Sequence, residues 1–189
     1  MWLDRVKAEL GDDLEVNWRS FSLEQQNSKE GPEWKAWEQG SDYESRGLLA
    51  LKAGVAARKQ GDELQWKFTL ALLKARHEDK ADVRMMETIS SVAAEAGLDV
   101  DQLKSDMDDS ETIATVAREH EQAAEQGIFG TPTYVFEDAK PAFLKMFTPP
   151  EEETMDVWEG VTRLSTSTVG FGELKRPQPP WPRDVFDDK

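Results

Sequence analysis

Strand-like patterning occurs only near the two ends of this chain, and everything between reads as helix. Leu14, Val16 and Trp18 alternate with Glu15, Asn17 and Arg19, so residues 14–21 read as a strand with one buried face. Thr133-Tyr134-Val135-Phe136 and Ala142-Phe143-Leu144-Lys145-Met146-Phe147 are β-rich runs on either side of a turn at 137–141, a hairpin signal. A fold built on this order needs strands that are distant in sequence to share one layer, with a helical block inserted between them. The fold class this predicts is α/β.

The helices are marked by spacing and by glycine stops. Trp2, Leu3, Val6 and Leu10 fall on one helical face before Gly11. A polar stretch holding Gly31-Pro32 and Gly40 reads as loop, although Trp34 and Trp37 within it need somewhere to pack. Ser41 and Glu44 have capping-box spacing and predict a helix from 41 to about Gln60. Asp62 with Gln65 predicts a second cap, opening an apolar helix to about His77. Helices are also predicted over Met86–Ala96, Asp101–Met107, from the cap Ser110 to Gly127, and over Glu151–Leu164. Pro177, Pro179, Pro180 and Pro182 exclude regular structure from the tail. The expected division is a core of residues 1–40 and 127–164, a helical insertion of 41–126, and a Pro-rich tail of 165–189.

Composition removes several kinds of chemistry. The 189 residues include no cysteine, so this polypeptide forms no disulfide, thiolate metal site or Cys nucleophile of its own. The net charge of −15, from 38 acidic and 23 basic residues, argues against nucleic acid or an anionic membrane as the main partner. No apolar run reaches membrane-spanning length and the start at Met1 has no leader-like pattern, so the cytoplasm is the expected location. With two His in all, no zinc spacing is present. His77 reads as a helix-end residue and His120 as a satisfied buried histidine on the stripe Ile113, Val116, Ala117, His120, Ala124, with an approach to the segment at 129–132 as its alternative. Asp99 to Lys104 fails as a calcium loop because Leu103 and Lys104 stand where an oxygen ligand and a glycine are needed. No metal or cofactor is expected.

The most informative string is Gly127-Ile128-Phe129-Gly130-Thr131-Pro132-Thr133-Tyr134-Val135-Phe136. A proline opening a strand just after a helix has no N–H to offer a ladder and can adopt the cis bond. This segment resembles the cis-proline loop of DsbA-like thioredoxin-fold proteins. Leu14 to Leu23 is similar to that family's second core strand and the loop after it. GLLALKAGVAARKQG, ALLKARHEDK and AAEAGLD are similar to the helical insertion of its FrnE-type and 2-hydroxychromene-2-carboxylate isomerase branch.

The resemblance implies a thioredoxin-like sheet with a large helical insertion, and a surface of Phe129, Gly130, Thr131 and Pro132, with His120 near it, that meets a thiol or peptide ligand. It also implies a Thr131–Pro132 bond in the cis form. The family's first strand and its Cys-x-x-Cys have no counterpart, because Met1–Asp4 matches the middle of the helix that follows them. Three functions are therefore in view: a thiol-disulfide oxidoreductase relative without its redox segment, a glutathione-dependent isomerase-like protein, and a non-catalytic binding or structural member.

Without a first strand, three outcomes are expected: direct pairing of 14–21 with 133–137, a strand donated by another chain as in a homodimer, or residues preceding Met1. Of these, residues preceding Met1 are favoured, and the two strands should then lie about 10 Å apart, two strand spacings.

Overall fold

Two apolar clusters, one mainly helical and one shared between helices and extended segments, organise the computed structural model, which describes residues 1–40, 42–167 and 170–173. Of the predicted tail 165–189, residues 168–169 and 174–189, with all its prolines, lie outside the described residues, as does Ser41 of the predicted capping box.

The helical cluster is formed by α3 (Leu48–Ala57), α4 (Asp62–His77), α5 (Met86–Glu95) and α6 (Val100–Asp108), which enclose Phe68, Ile89, Leu103 and Met107. Small residues Ala53, Ala56 and Ala57 on α3 are fully buried and let neighbouring helices approach closely. Further along, α7 (Ser110–Glu125) packs against α3 and runs towards the hairpin. Gly61 and Gly97 have φ of 103° and 88°, and each ends the preceding helical stretch in a region where a side chain is strained.

The second cluster centres on Trp2, Leu3 and Val6 of α1 (Trp2–Leu10). Leu14, Val16 and Trp18 pack on it from one direction, Tyr134 and Leu144 from another, and Met155, Val157, Trp158 and Val161 of α8 (Thr154–Ser167) from a third. The indole N–H of Trp2 donates to the Thr154 carbonyl at 3.1 Å and ties α1 to the start of α8.

The sheet is smaller than predicted. Only β1 (Thr133–Tyr134) and β2 (Ala142–Phe143) form a ladder among the described residues, antiparallel, with Thr133 opposite Phe143 and Tyr134 opposite Ala142. The predicted hairpin is therefore present with shorter strands. Residues 14–21 are corrected: they join no ladder among the described residues, although side-chain burial alternates as predicted from Leu14 to Arg19. The alternation records which face meets α1, whereas a strand also needs a neighbour at its edge. Direct pairing of 14–21 with the hairpin is thus absent among the described residues.

Helix starts also shift, by one residue at α6 and three at α8 among others. The helix predicted from Ser41 begins at Leu48, because Glu24 on α2 (Leu23–Gln26) takes up the preceding segment: its carboxylate accepts the Tyr43 hydroxyl, the Ser45 hydroxyl and the Arg46 N–H. The caps predicted at Asp62 and Ser110 are instead first helical residues, after Gly61 and Asp109. Trp34 packs edge-on to Tyr43 and Trp37 packs on His120.

Candidate functional site

The turn from α7 into β1 is built by backbone bonds that reverse the chain. The N–H of Gly127 donates to Ala124 at 2.9 Å and that of Ile128 to Ala123 at 3.0 Å, with Gly127 at φ 77°. The chain then presents Phe129, 62% exposed, against Phe143 with ring centroids 5.0 Å apart. Gly130 is buried beneath Phe143, and a Cβ there would sit 3.2 Å from that ring, tight enough to displace it. The Thr133 hydroxyl donates to the Gly130 carbonyl at 2.7 Å and fixes the loop. Thr131 and Pro132 are exposed, and the bond between them is cis.

The register sorts the hairpin's two faces. Tyr134 and Leu144 turn to the α1 cluster, and burial raises the Tyr134 hydroxyl pKa above its ordinary value. Val135 and Phe143 share the opposite face with Thr133 and are exposed, as Phe129 is. Of the four predicted residues 129–132, Phe129, Thr131 and Pro132 are thus exposed and Gly130 is buried.

His120 has different neighbours. It is buried on α7, its Nδ1 accepts the Ser22 N–H at 3.2 Å, and its ring lies 4.7 Å from Phe21 and 5.3 Å from Trp37. None of these partners belongs to the 129–132 segment. An acceptor at Nδ1 requires the neutral ring with its proton on Nε2. Burial, the leading cause, holds its pKa below the ordinary value, and Lys35 adds to this while Glu121 opposes it.

One residue central to this region is absent from the predicted set. Glu119, beside His120, is buried with both carboxylate oxygens engaged. Oε1 accepts from Arg58 at 2.5 Å and Arg19 at 3.0 Å; Oε2 accepts from Arg58 at 2.9 Å and from the Ser20 N–H at 2.7 Å. Arg58 also donates to the Trp18 carbonyl at 2.8 Å. Burial acts to raise the Glu119 pKa, but the Arg58 hydrogen bond, the Ser20 N–H and Arg19 outweigh it, and the carboxyl titrates below its ordinary value. Arg58, Glu119 and His120 therefore hold the segment at Trp18, Ser20 and Ser22 through its backbone groups. A signal was present in the sequence: Glu119 lies one turn beyond Val116 on the buried stripe of α7, a costly position for an unpaired carboxylate.

Among the described residues no group of three or more His, Asp or Glu is arranged to hold a metal ion. Asp99 caps α6 by accepting the Gln102 N–H at 2.9 Å, which accounts for the acidic run there. No helix of the described residues is long and apolar enough to cross a membrane.

Comparison with known proteins places these features. The chain is 25% identical over 182 residues to the uncharacterized protein Rv2286c of Mycobacterium tuberculosis, a match covering 95% of this chain and 76% of the relative. A crystal structure of a proposed protein disulfide isomerase from Nitrosomonas europaea is similar over 63% of this chain, with a TM-score of 0.45 and 17% identity. This chain spans 59% of that protein's length. The model of the DSBA-like thioredoxin domain matches residues 2–164, and the chain belongs to that family.

Proposed function

We propose that this polypeptide is a binding member of the DSBA-like family that keeps a ligand-facing surface at Phe129–Pro132 and carries out no thiol chemistry of its own. The observation that carries this reading is Phe129, 62% exposed and paired with Phe143 beside Thr131 and Pro132, in a chain with no cysteine. A solvated aromatic pair next to exposed backbone suits an extended peptide with apolar side chains, or a thiol compound of similar shape. His120 belongs to the support of this region, through Ser22, Phe21 and Trp37.

We read residues 41–126 as a helical insertion in a core of 1–40 and 127–164, and the sheet as lacking its first core strand. The separate helical cluster and, among the described residues, a single two-stranded ladder support this reading.

The test is a titration of tryptophan fluorescence with an extended aromatic-rich peptide and, separately, with reduced glutathione, on wild type and Phe129→Ala. Saturable peptide binding weakened about tenfold by Phe129→Ala is expected, since truncating an exposed aromatic anchor removes about 1–2 kcal/mol. An insulin-reduction assay should stay at background, because exchange requires an attacking thiolate. Peptide binding indifferent to Phe129→Ala would overturn the proposed surface. Tight binding of glutathione alone would favour the isomerase-like relatives instead.

A further inference from the structure

We propose that residues 22–38 form a strap fastened to α7 at His120, and that protonation of His120 releases the strap as a unit while both apolar clusters stay folded. The proposal does not depend on the 129–132 surface.

One side chain closes the strap on itself. Gln25 of α2 donates through Nε2 to the Trp34 carbonyl at 2.9 Å, and its Oε1 accepts the Ala36 N–H at 2.8 Å. A single amide group thus ties the first turn of the strap to its far end. The Ser22 hydroxyl caps α2 by accepting the Gln25 N–H at 3.1 Å. Glu24 holds the strap to residues 43–46 ahead of α3. None of these bonds involves α7.

The fastening to α7 is of a different kind. The Ser22 N–H donates to His120 Nδ1 at the base of the strap, and the ring of His120 touches Trp37 at its far end. Phe21, just before the strap, packs on the same ring. The turn Ala36–Glu38 rests on α7, with Ala36 buried. Lys35 and Glu121 of α7 stand 4.0 Å apart, but both side chains are partly solvated and the pair contributes little. His120 is therefore the polar bond at one end of the strap and the ring contact at the other.

That bond depends on the state of the ring. When Nδ1 takes a proton it can no longer accept, and two N–H groups face each other. The charged groups around His120 are Lys35 on the strap and Glu121 and Glu119 on α7. Glu119 is already paired with Arg58 of α3 and with Arg19. Closing the strap brings Lys35 and the Trp37 ring to His120 and excludes water, which disfavours the charged ring. Lifting it takes Lys35 and Trp37 away, while Glu121 stays beside His120 on the same helix. The open form thus takes up the proton more readily, and falling pH below 6.5 favours it.

The experiment follows amide protection factors of the full chain by NMR from about pH 8 to about pH 5, the range in which histidine titrates. The Ser22 N–H should lose protection below pH 6.5 by up to about tenfold per pH unit, as one proton dictates. The loss should level off once the closed form is also protonated. The Ala36 N–H, bonded inside the strap, and the Ile89 and Leu103 amides of α5 and α6 should keep their protection. His120→Asn offers an acceptor oxygen near the place of Nδ1 and does not titrate, so it should abolish the pH dependence. Lys35→Met removes a charge that opposes protonation in the closed form only, and should shrink the Ser22 loss several-fold. If His120→Asn does not fold, Lys35→Met decides alone.

A Ser22 protection factor that is flat in pH would overturn the proposal, as would a loss that either variant leaves unchanged. A loss at Ser22 in step with Ile89 and Leu103 would mean global unfolding, and one in step with Ser20 would assign the titration to Glu119. Loss at Ala36 in step with Ser22 would show that the strap unravels instead of moving as a unit. Each of these three results also contradicts the proposal.

Discussion

The helical cluster and the strand layer of this protein are held together in different ways. In the α3–α6 cluster each backbone is satisfied within its own helix, and the apolar faces close on fully buried side chains such as Phe68, Ile89 and Leu103. Around α1 the corresponding contributors Leu14, Val16, Trp18 and Tyr134 are only partly buried, and a single short ladder supplies the inter-strand bonds among the described residues. A helix completes its own hydrogen bonding, whereas a strand depends on a neighbour. The segment at Trp18, Ser20 and Ser22 accordingly takes its backbone hydrogen bonds from the side chains of Arg58, Glu119 and His120.

The largest effect that tests this contrast is expected in the helical cluster. Phe68→Ala removes a side chain with no exposed surface and should destabilise the protein by about 3–5 kcal/mol, measured by urea denaturation. A loss below about 1 kcal/mol would mean that this cluster is not the stable half of the molecule.

A smaller loss is expected where the helices grip the strand layer. Glu119→Gln keeps the shape but removes the charge that accepts from Arg58 and Ser20, and should cost about 2 kcal/mol. Arg19 adds little, because its side chain is 67% exposed. The loss should come with faster exchange of the Ser20 amide, which a change confined to α7 would not produce.

The smallest effect concerns pH. His120 is buried neutral with its pKa below 6.5, so the unfolded chain takes up a proton that the folded chain resists. Stability from this group is complete above 6.5 and is lost as pH falls below it. Glu119, held below 4.5, contributes in full above that value and loses its contribution as pH falls through its folded-state pKa. Urea midpoints should thus decline from pH 7 downward, and His120→Gln should flatten the upper part of that decline. An unchanged slope would show that His120 is not the titrating group.

Much of the helical region was legible in the sequence because helical period and glycine stops are local signals. Met86, His77 and Gly97 mark boundaries close to those observed. The start at Leu48 was not legible, since Glu24 captures residues 43–46 from a distant position in the chain. For 14–19 the alternation disclosed the more buried face, whereas Ser20 and Phe21 are both buried, and nothing local shows whether a partner strand exists. At the candidate site, Phe129 to Pro132 were singled out through a family resemblance, and Phe129, Thr131 and Pro132 of these are exposed. Glu119 was missed because a carboxylate on a helix usually reads as solvated, and its partner Arg58 lies 61 residues away.

Native-state hydrogen exchange on the free protein tests the central contrast most directly. The account predicts that amides inside α4 and α7 exchange only through global unfolding. It also predicts that Ser20 and Ser22 are protected, and that Asn17, Arg19 and Phe21 exchange orders of magnitude faster. Uniform protection from Asn17 to Ser22, equal to that of α4, would contradict it.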